Sequence, residues 1–357
     1  AQSAAGLIDA EGAGLPAGVA LGDLDIVYPN VAAQYMDWII LLYLGGFIIA
    51  TAVEKWNLHK RIALSILRII GGKPHRLVLG FMIATAFLSM WLSNTATAMM
   101  MMPMGMSLVL LYEELNEKTR LAGGHVDARA PNFALTLLLG IAYSASIGGV
   151  ATLIGTPPNG VLGTQMGQIF PEAPEFAFMT WMSFALPMSL VFLFTSWVLL
   201  TRFVFPLRAT TPFSGKAFIA DEIEKLGPIT TEERRVRGVF IAVALLWMTR
   251  KERLFGAEVD IFGWSHYLDL LFIQFGASPI SSLIDDGTVS IAMALTLFVI
   301  PASKKVGGRL MDWEDTKNVP WGILLLFGGG LAIAKGFSTS GLGTYMASQL
   351  QVVLGDA

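Results

Sequence analysis

The 357-residue chain contains no cysteine. Disulfides, thiolate metal sites and cysteine nucleophiles are therefore excluded. Charge is scarce too. Asp, Glu, Lys and Arg make up 14% of the residues, where a soluble chain carries about 25%. With 54% apolar residues, too little charge remains to cover a water-facing surface. No basic excess exists either: the net charge is −3, which gives no field to hold nucleic-acid phosphates. Residues 1–37 lack Lys and Arg altogether but carry Asp9, Glu11, Asp23, Asp25 and Asp37. They read as an extracellular or periplasmic segment rather than a signal peptide. No nucleophile–base pair and no Gly-x-x-x-x-Gly-Lys-Ser/Thr loop occurs, so an enzyme is not expected.

What the chain does have is long uncharged runs. Low-charge blocks lie at 38–53, 77–112, 131–171, 180–201, 238–249, 286–302 and 320–334. A membrane crossing needs about 20 apolar residues, so the pattern predicts an all-α polytopic membrane protein. The stretch 261–284 is apolar but interrupted by Gly263, His266, Asp269, Gly276 and Pro279, and reads as an interfacial loop. In 57–70, Leu58, Ile62, Ile66 and Ile69 recur at helical spacing, which predicts a helix lying on the membrane surface.

Two blocks are too long for one crossing. As one helix, 77–112 would reach about 54 Å at 1.5 Å per residue. Its middle, Leu92-Ser93-Asn94-Thr95-Ala96-Thr97, is small and polar, which predicts a re-entrant hairpin with a polar tip. Block 131–171 is interrupted by Ser146-Ile147-Gly148-Gly149 and Gly155-Thr156-Pro157-Pro158-Asn159, which predicts a broken helix. Irregular backbone at membrane depth is tolerated only inside protein or along a cavity. Links 54–76, 113–130, 202–237 and 303–319 hold 20 of the 24 Lys and Arg. All four fall on the cytoplasmic side if 77–112 enters and leaves by one face.

A repeat is present as well. Trp38 to Gly46 matches Trp321 to Gly329 at six of nine positions, offset by 283. The copies begin on opposite sides of the membrane in this topology, and inverted repeats mark transporters. Asn94 lies 56 residues after Trp38. The mirrored tip is expected at the same interval after Trp321, beyond Ala357.

The tip has a definite chemistry. A helix ending near Leu92 leaves unpaired carbonyls, which attract a cation. One starting near Thr95 offers N–H groups and a positive dipole end, which attract an anion. The broken segment is expected to offer the same pair: carbonyls before Gly155, and N–H groups with the Thr156 hydroxyl after it. Neither block contains Lys, Arg, His, Asp or Glu, so a bound Na⁺ would supply the charge that neutralises an anion. The bland alternative is that these small residues only pack helices. Met99 to Met102, Met104 and Met106 point all round a helix and read as adaptable packing.

Three segments resemble the divalent anion–sodium symporters, the family of sodium-coupled dicarboxylate, citrate and sulfate transporters. They are Glu54 to Ala63, Leu88 to Thr97, and Ser146 to Gly149 with Gly155 to Asn159. The resemblance implies a homodimer in the cell membrane, in which a mobile transport domain slides past a scaffold. It implies that Ser89, Ser93, Asn94 and Gly155 hold one sodium. It also implies that Ser93, Asn94, Thr95 and Thr156 meet the substrate carboxylate.

The expected organisation follows. Residues 38–76 are a scaffold helix with its cytoplasmic interfacial helix. Residues 77–201 are half of the transport domain, comprising hairpin 77–112, broken helix 131–171 and helix 180–201. Residues 202–237 are a cytoplasmic link, and 238–357 are scaffold helices with the second repeat starting at 321. The resemblance implies further helices before this stretch and a second Ser-Asn-Thr hairpin after it, so a fragment lacking the second half-site is expected. The expected activity is sodium-coupled symport of succinate, malate or fumarate. A sulfate or citrate symporter, or a transport-dead membrane scaffold, is the alternative.

Overall fold

The computed structural model describes residues 32–123, 130–170, 172, 177–207, 215–251, 263–276, 278–343, 345, 346 and 349. Most of the predicted segment 1–37 and parts of links 113–130 and 202–237 lie outside the described residues. The helices are α1 (Trp38–Lys55), α2 (Leu58–Ile70), α3 (Pro74–Ser89), α4 (Asn94–Leu121), α5 (Ala130–Val150), α6 (Pro157–Ile169), α7 (Phe178–Val198), α8 (Lys216–Leu226), α9 (Thr231–Met248), α10 (Trp264–Gln274), α11 (Asp286–Val299) and α12 (Trp321–Thr339). Among the described residues there is no strand, only an isolated bridge between Pro301 and Arg309.

Helices α1, α4, α5 and α7 are long and apolar enough to cross a membrane, α7 by continuing as a π-helical turn over Leu199–Val204. Helix α7 is apolar all round. Trp181 and Ala185 are buried, while Phe184, Leu190, Val191 and Phe194 are exposed. Such a helix suits hydrocarbon on its outer side, not water. The chain is an all-α polytopic membrane protein.

Two compact units are present, residues 42–319 and residues 1–41 with 320–357. In the smaller unit the ring of Tyr35 packs on Gly328 of α12, where a methyl group would lie 2.3 Å from it. In the larger unit α3, α4 and α5 make the core. Phe81, Met101, Leu108, Leu137 and Ile141 are buried there together. Gly140, Ser144 and Gly148 form a small-residue stripe down α5, which lets two backbones approach. A methyl on Gly148 would lie 2.2 Å from the Ala86 carbonyl oxygen, so α5 crosses α3 in backbone contact.

Several elements depart from the sequence pattern. The predicted loop 261–284 contains helix α10. Asp269 does not break it. Its carboxylate instead accepts the N–H groups of Ile280 and Ser281 at 2.8 and 2.7 Å, folding the following turn back on the helix. The predicted link 202–237 contains α8 and the start of α9, where Thr230 and Glu233 form a reciprocal cap. Helix α2 is where it was expected. Leu58, Ala63, Leu64 and Leu67 are buried, Ile69 is 84% exposed, and Leu67 packs against the backbone of Gly80 on α3.

Three of the four basic links meet at one end of the larger unit. Arg61 holds Glu233 through both guanidinium and carboxylate, at 3.0–3.2 Å. Gly215 N donates to Gly72 O at 3.0 Å. Lys55 pairs with Asp315 at 2.6 Å, and Trp56 Nε1 donates to Leu310 O at 2.9 Å. The gathering agrees with the charge-derived topology. In the cysteine-free chain, single cysteines at Lys73 and Arg120 should label from the same side with an impermeant thiol reagent. Labelling from opposite sides would show that 77–112 crosses the membrane.

Candidate functional site

The connection from α3 to α4 is a four-residue turn, Met90 to Ser93. Ser93 is the N-cap of α4, its hydroxyl accepting Ala96 N at 3.2 Å. The first amides of α4, those of Asn94 and Thr95, have no carbonyl a turn earlier to bond. The break in α5–α6 runs from Ala151 to Thr156. Both interruptions fall where the sequence placed them.

A broken helix leaves its last carbonyls without partners, and here side chains supply most of them. Ile147 O accepts from Ser189 Oγ at 2.9 Å, and Gly149 O accepts from Asn159 Nδ2 at 3.0 Å. Val150 O accepts from Trp181 Nε1 at 2.9 Å. Gly148 O accepts from the backbone of Ala151 at 3.0 Å. Within the break, Leu153 O accepts from the Tyr43 hydroxyl at 2.6 Å and Thr152 O from Asn159 Nδ2 at 2.7 Å. Thr152 Oγ1 ties the break to the hairpin by donating to Met90 O.

At the break, the carbonyls of Ile147, Gly148, Gly149, Val150, Thr152 and Leu153 each already accept a hydrogen bond. After Gly155, Pro157 and Pro158 carry no N–H, and Asn159 N donates to Thr156 O at 3.1 Å. The dipole end of α6 is thus largely closed by its own sequence. The hairpin tip keeps its free first-turn amides.

Three of the predicted residues come together. The amide of Asn94 faces Ser89 Oγ, Ala145 O and Gly155 O. Ser89 Oγ spends its proton on Ala145 O at 2.6 Å. With its nitrogen toward this group, Asn94 reaches Ser89 Oγ at 2.7 Å and the two carbonyls at 3.2 Å. With its oxygen toward them, four oxygens converge on one point. That second arrangement is stabilised either by the Ser89 hydroxyl turning to donate to Asn94 Oδ1 at 2.7 Å or by a cation, for which neutral hydroxyl and carbonyl oxygens are ligands. Ser93 adjoins the cluster as the cap of α4. Thr95 is exposed, Thr156 is half-buried, and neither hydrogen-bonds to the cluster. Among the described residues no group of His, Asp or Glu could hold a metal ion. Ala145 O, Thr152 and Asn159 were missed. A carbonyl carries no residue-type signal, and the partners of Thr152 and Asn159 are set by tertiary packing.

The chain matches the model of the citrate transporter family over residues 7–356. The chain belongs to that family. It is 40% identical over 327 residues to a sodium-dependent dicarboxylate transporter, SdcS, of Staphylococcus saprophyticus, covering 91% of this chain and 58% of that protein. It is 38% identical over the same span and shares to the SdcS protein of Staphylococcus aureus. The chain thus spans under two thirds of the length of these relatives.

Gly149 backs the cluster. A methyl group there would lie 2.2 Å from the Asn94 amide oxygen position. Gly149→Ala should displace the Asn94 amide and lower the thermal unfolding temperature by several degrees. Gly167→Ala, where nothing lies within 4 Å, is the control and should leave it unchanged. Equal unfolding temperatures for both variants would show that the contact between Gly149 and Asn94 is not close.

Proposed function

We propose that this chain carries one half of the binding site of a multi-pass, sodium-coupled symporter for small dicarboxylates, with succinate, malate and fumarate as leading substrates. The observation that carries the reading is the convergence of Ser89, Asn94, Ala145 O and Gly155 O beside the N-terminus of α4. Sodium is cargo, bound on the oxygen side by Ser89, Ser93, Asn94 and Gly155. A substrate carboxylate meets the free amides of α4 and the hydroxyls of Ser93, Thr95 and Thr156. With no charged side chain at the tip, the sodium neutralises the carboxylate, and each ion strengthens binding of the other. Residues 77–201 form half of the moving domain and α9–α11 part of the scaffold, in a homodimer; the domain division and the dimer rest on the resemblance alone. The names of the relatives in Staphylococcus support the dicarboxylate class, and the description of the family favours citrate as second reading. Sodium-dependent uptake of labelled succinate, citrate and sulfate by the full-length protein decides between them, and no sodium-dependent uptake of any would overturn the transport reading.

Asn94 is the residue on which the coupling turns. Asn94→Ala strands buried partners at about 1–3 kcal/mol each. That is roughly one to two decades in affinity. Linkage requires the loss to appear for sodium and substrate alike. Asn94→Asp should keep or strengthen sodium binding and repel the anionic substrate. Near-normal substrate affinity with Asn94→Asp would show that Asn94 is packing, not site.

A further inference from the structure

Trp91 lies in the hairpin turn, two positions before Ser93. Its ring stacks on Phe178 at 5.9 Å and on Trp247 at 6.5 Å between centroids, and meets Phe240 edge-on at 5.0 Å. Phe178 and Trp247 also stack on each other at 4.9 Å. Four rings from the hairpin, the start of α7 and helix α9 therefore make one cluster. Offset and edge-on ring pairs hold a defined geometry, which undirected apolar packing does not.

The two rings that face Trp91 are oriented by a buried ion pair. Arg250 and Asp286 have side chains 2% and 0% exposed, and Arg250 Nε donates to Asp286 at 2.6 Å. The other carboxylate oxygen of Asp286 accepts Phe178 N at 2.8 Å, and the backbone carbonyl of Asp286 accepts Trp247 Nε1 at 2.9 Å. One residue at the N-terminus of α11 thus fixes both rings. A buried ion pair gives little net stability but imposes a geometry, since breaking it leaves a stranded charge.

Trp91 itself makes no polar anchor. Its indole N–H is buried without a hydrogen-bond partner. The ring borders a small apolar crevice, with Gly46, Ile49, Ile154 and Val243 on its other walls. The indole nitrogen is not what holds this side chain. Ring stacking holds it.

We infer that Trp91 is a positioning residue for the oxygen cluster in the arrangement seen here: clamped by Phe178 and Trp247, which Asp286 orients, it fixes the turn that presents Ser93 and Asn94, and since Trp247 and Asp286 belong to the scaffold the clamp holds only while the moving half rests against it. The inference rests on the reading of that cluster as a sodium site. On the other side Thr152 holds the same turn through Met90 O, so loss of the clamp leaves the tip tethered but loose.

The test uses the purified full-length protein with two readouts, the sodium concentration that half-maximally raises the thermal unfolding temperature and the one that half-saturates uptake. Trp91→Leu keeps apolar bulk but loses the stack, and should raise both about tenfold. Excess sodium should restore the uptake rate. Trp91→Phe keeps a ring and removes the unpaired donor, so both values should stay within about twofold of wild type. Asp286→Asn should shift sodium dependence in the same direction, and the double variant with Trp91→Leu should shift it no further, because both act through one path. If Trp91→Leu does not accumulate, Trp247→Leu opens the clamp without touching the hairpin and should give the same shift. Wild-type sodium dependence in the folded variant, Trp91→Leu or Trp247→Leu, overturns the inference while leaving the sodium site standing. A wild-type protein whose stability and uptake both ignore sodium overturns the site and the inference together.

Discussion

A helix interrupted at membrane depth must find a partner for every backbone group it frees, and lipid offers none. Everything else in the larger unit follows from how the chain meets that constraint at residues 147–156. The carbonyls of Ile147, Gly149, Val150, Thr152 and Leu153 are met by Ser189, Asn159, Trp181 and Tyr43. The donors come from three elements: Asn159 from the next half-helix, Ser189 and Trp181 from α7, Tyr43 from α1. The break is therefore stable only when α1, α5, α6 and α7 are assembled, and its geometry is fixed by them.

One carbonyl of the break is used differently. Gly155 O faces Asn94, with Ser89 Oγ and Ala145 O beside it. The hairpin and the break thus meet through an uncharged group of oxygens rather than through a closed ladder. This meeting needs close backbone approach, and the sequence provides it with Gly148 against Ala86 and Gly149 against Asn94. Hydroxyl, amide and carbonyl oxygens carry only partial charges, so the meeting point is polar without a titratable group.

Much of this was legible in the sequence, for identifiable reasons. Helix starts at Trp38 and Trp321, the polar tip at Ser93 to Thr95 and the break before Pro157 are local signals: uncharged length, small polar residues, proline. The elements that were misread depend on contacts distant in sequence. Helix α10 looked like a loop because Asp269 reads as a breaker until Ile280 and Ser281 fold back on it. The break was credited with an open anion end because the pair Pro157-Pro158 was read for what it interrupts, not for the N–H groups it removes. The ring cluster around Trp91 joins three segments spread over more than 150 residues, and no spacing rule links them.

The central claim is that a cation sits where the hairpin tip meets the broken helix. An anomalous-difference map from crystals of the full-length protein grown with Tl⁺ replacing Na⁺ addresses it directly. The account predicts a peak bounded by Ser89 Oγ, the Asn94 amide oxygen and the carbonyls of Ala145 and Gly155, lost when Na⁺ is restored in excess. A map without that peak, from protein that transports with Tl⁺ in place of Na⁺, would contradict it.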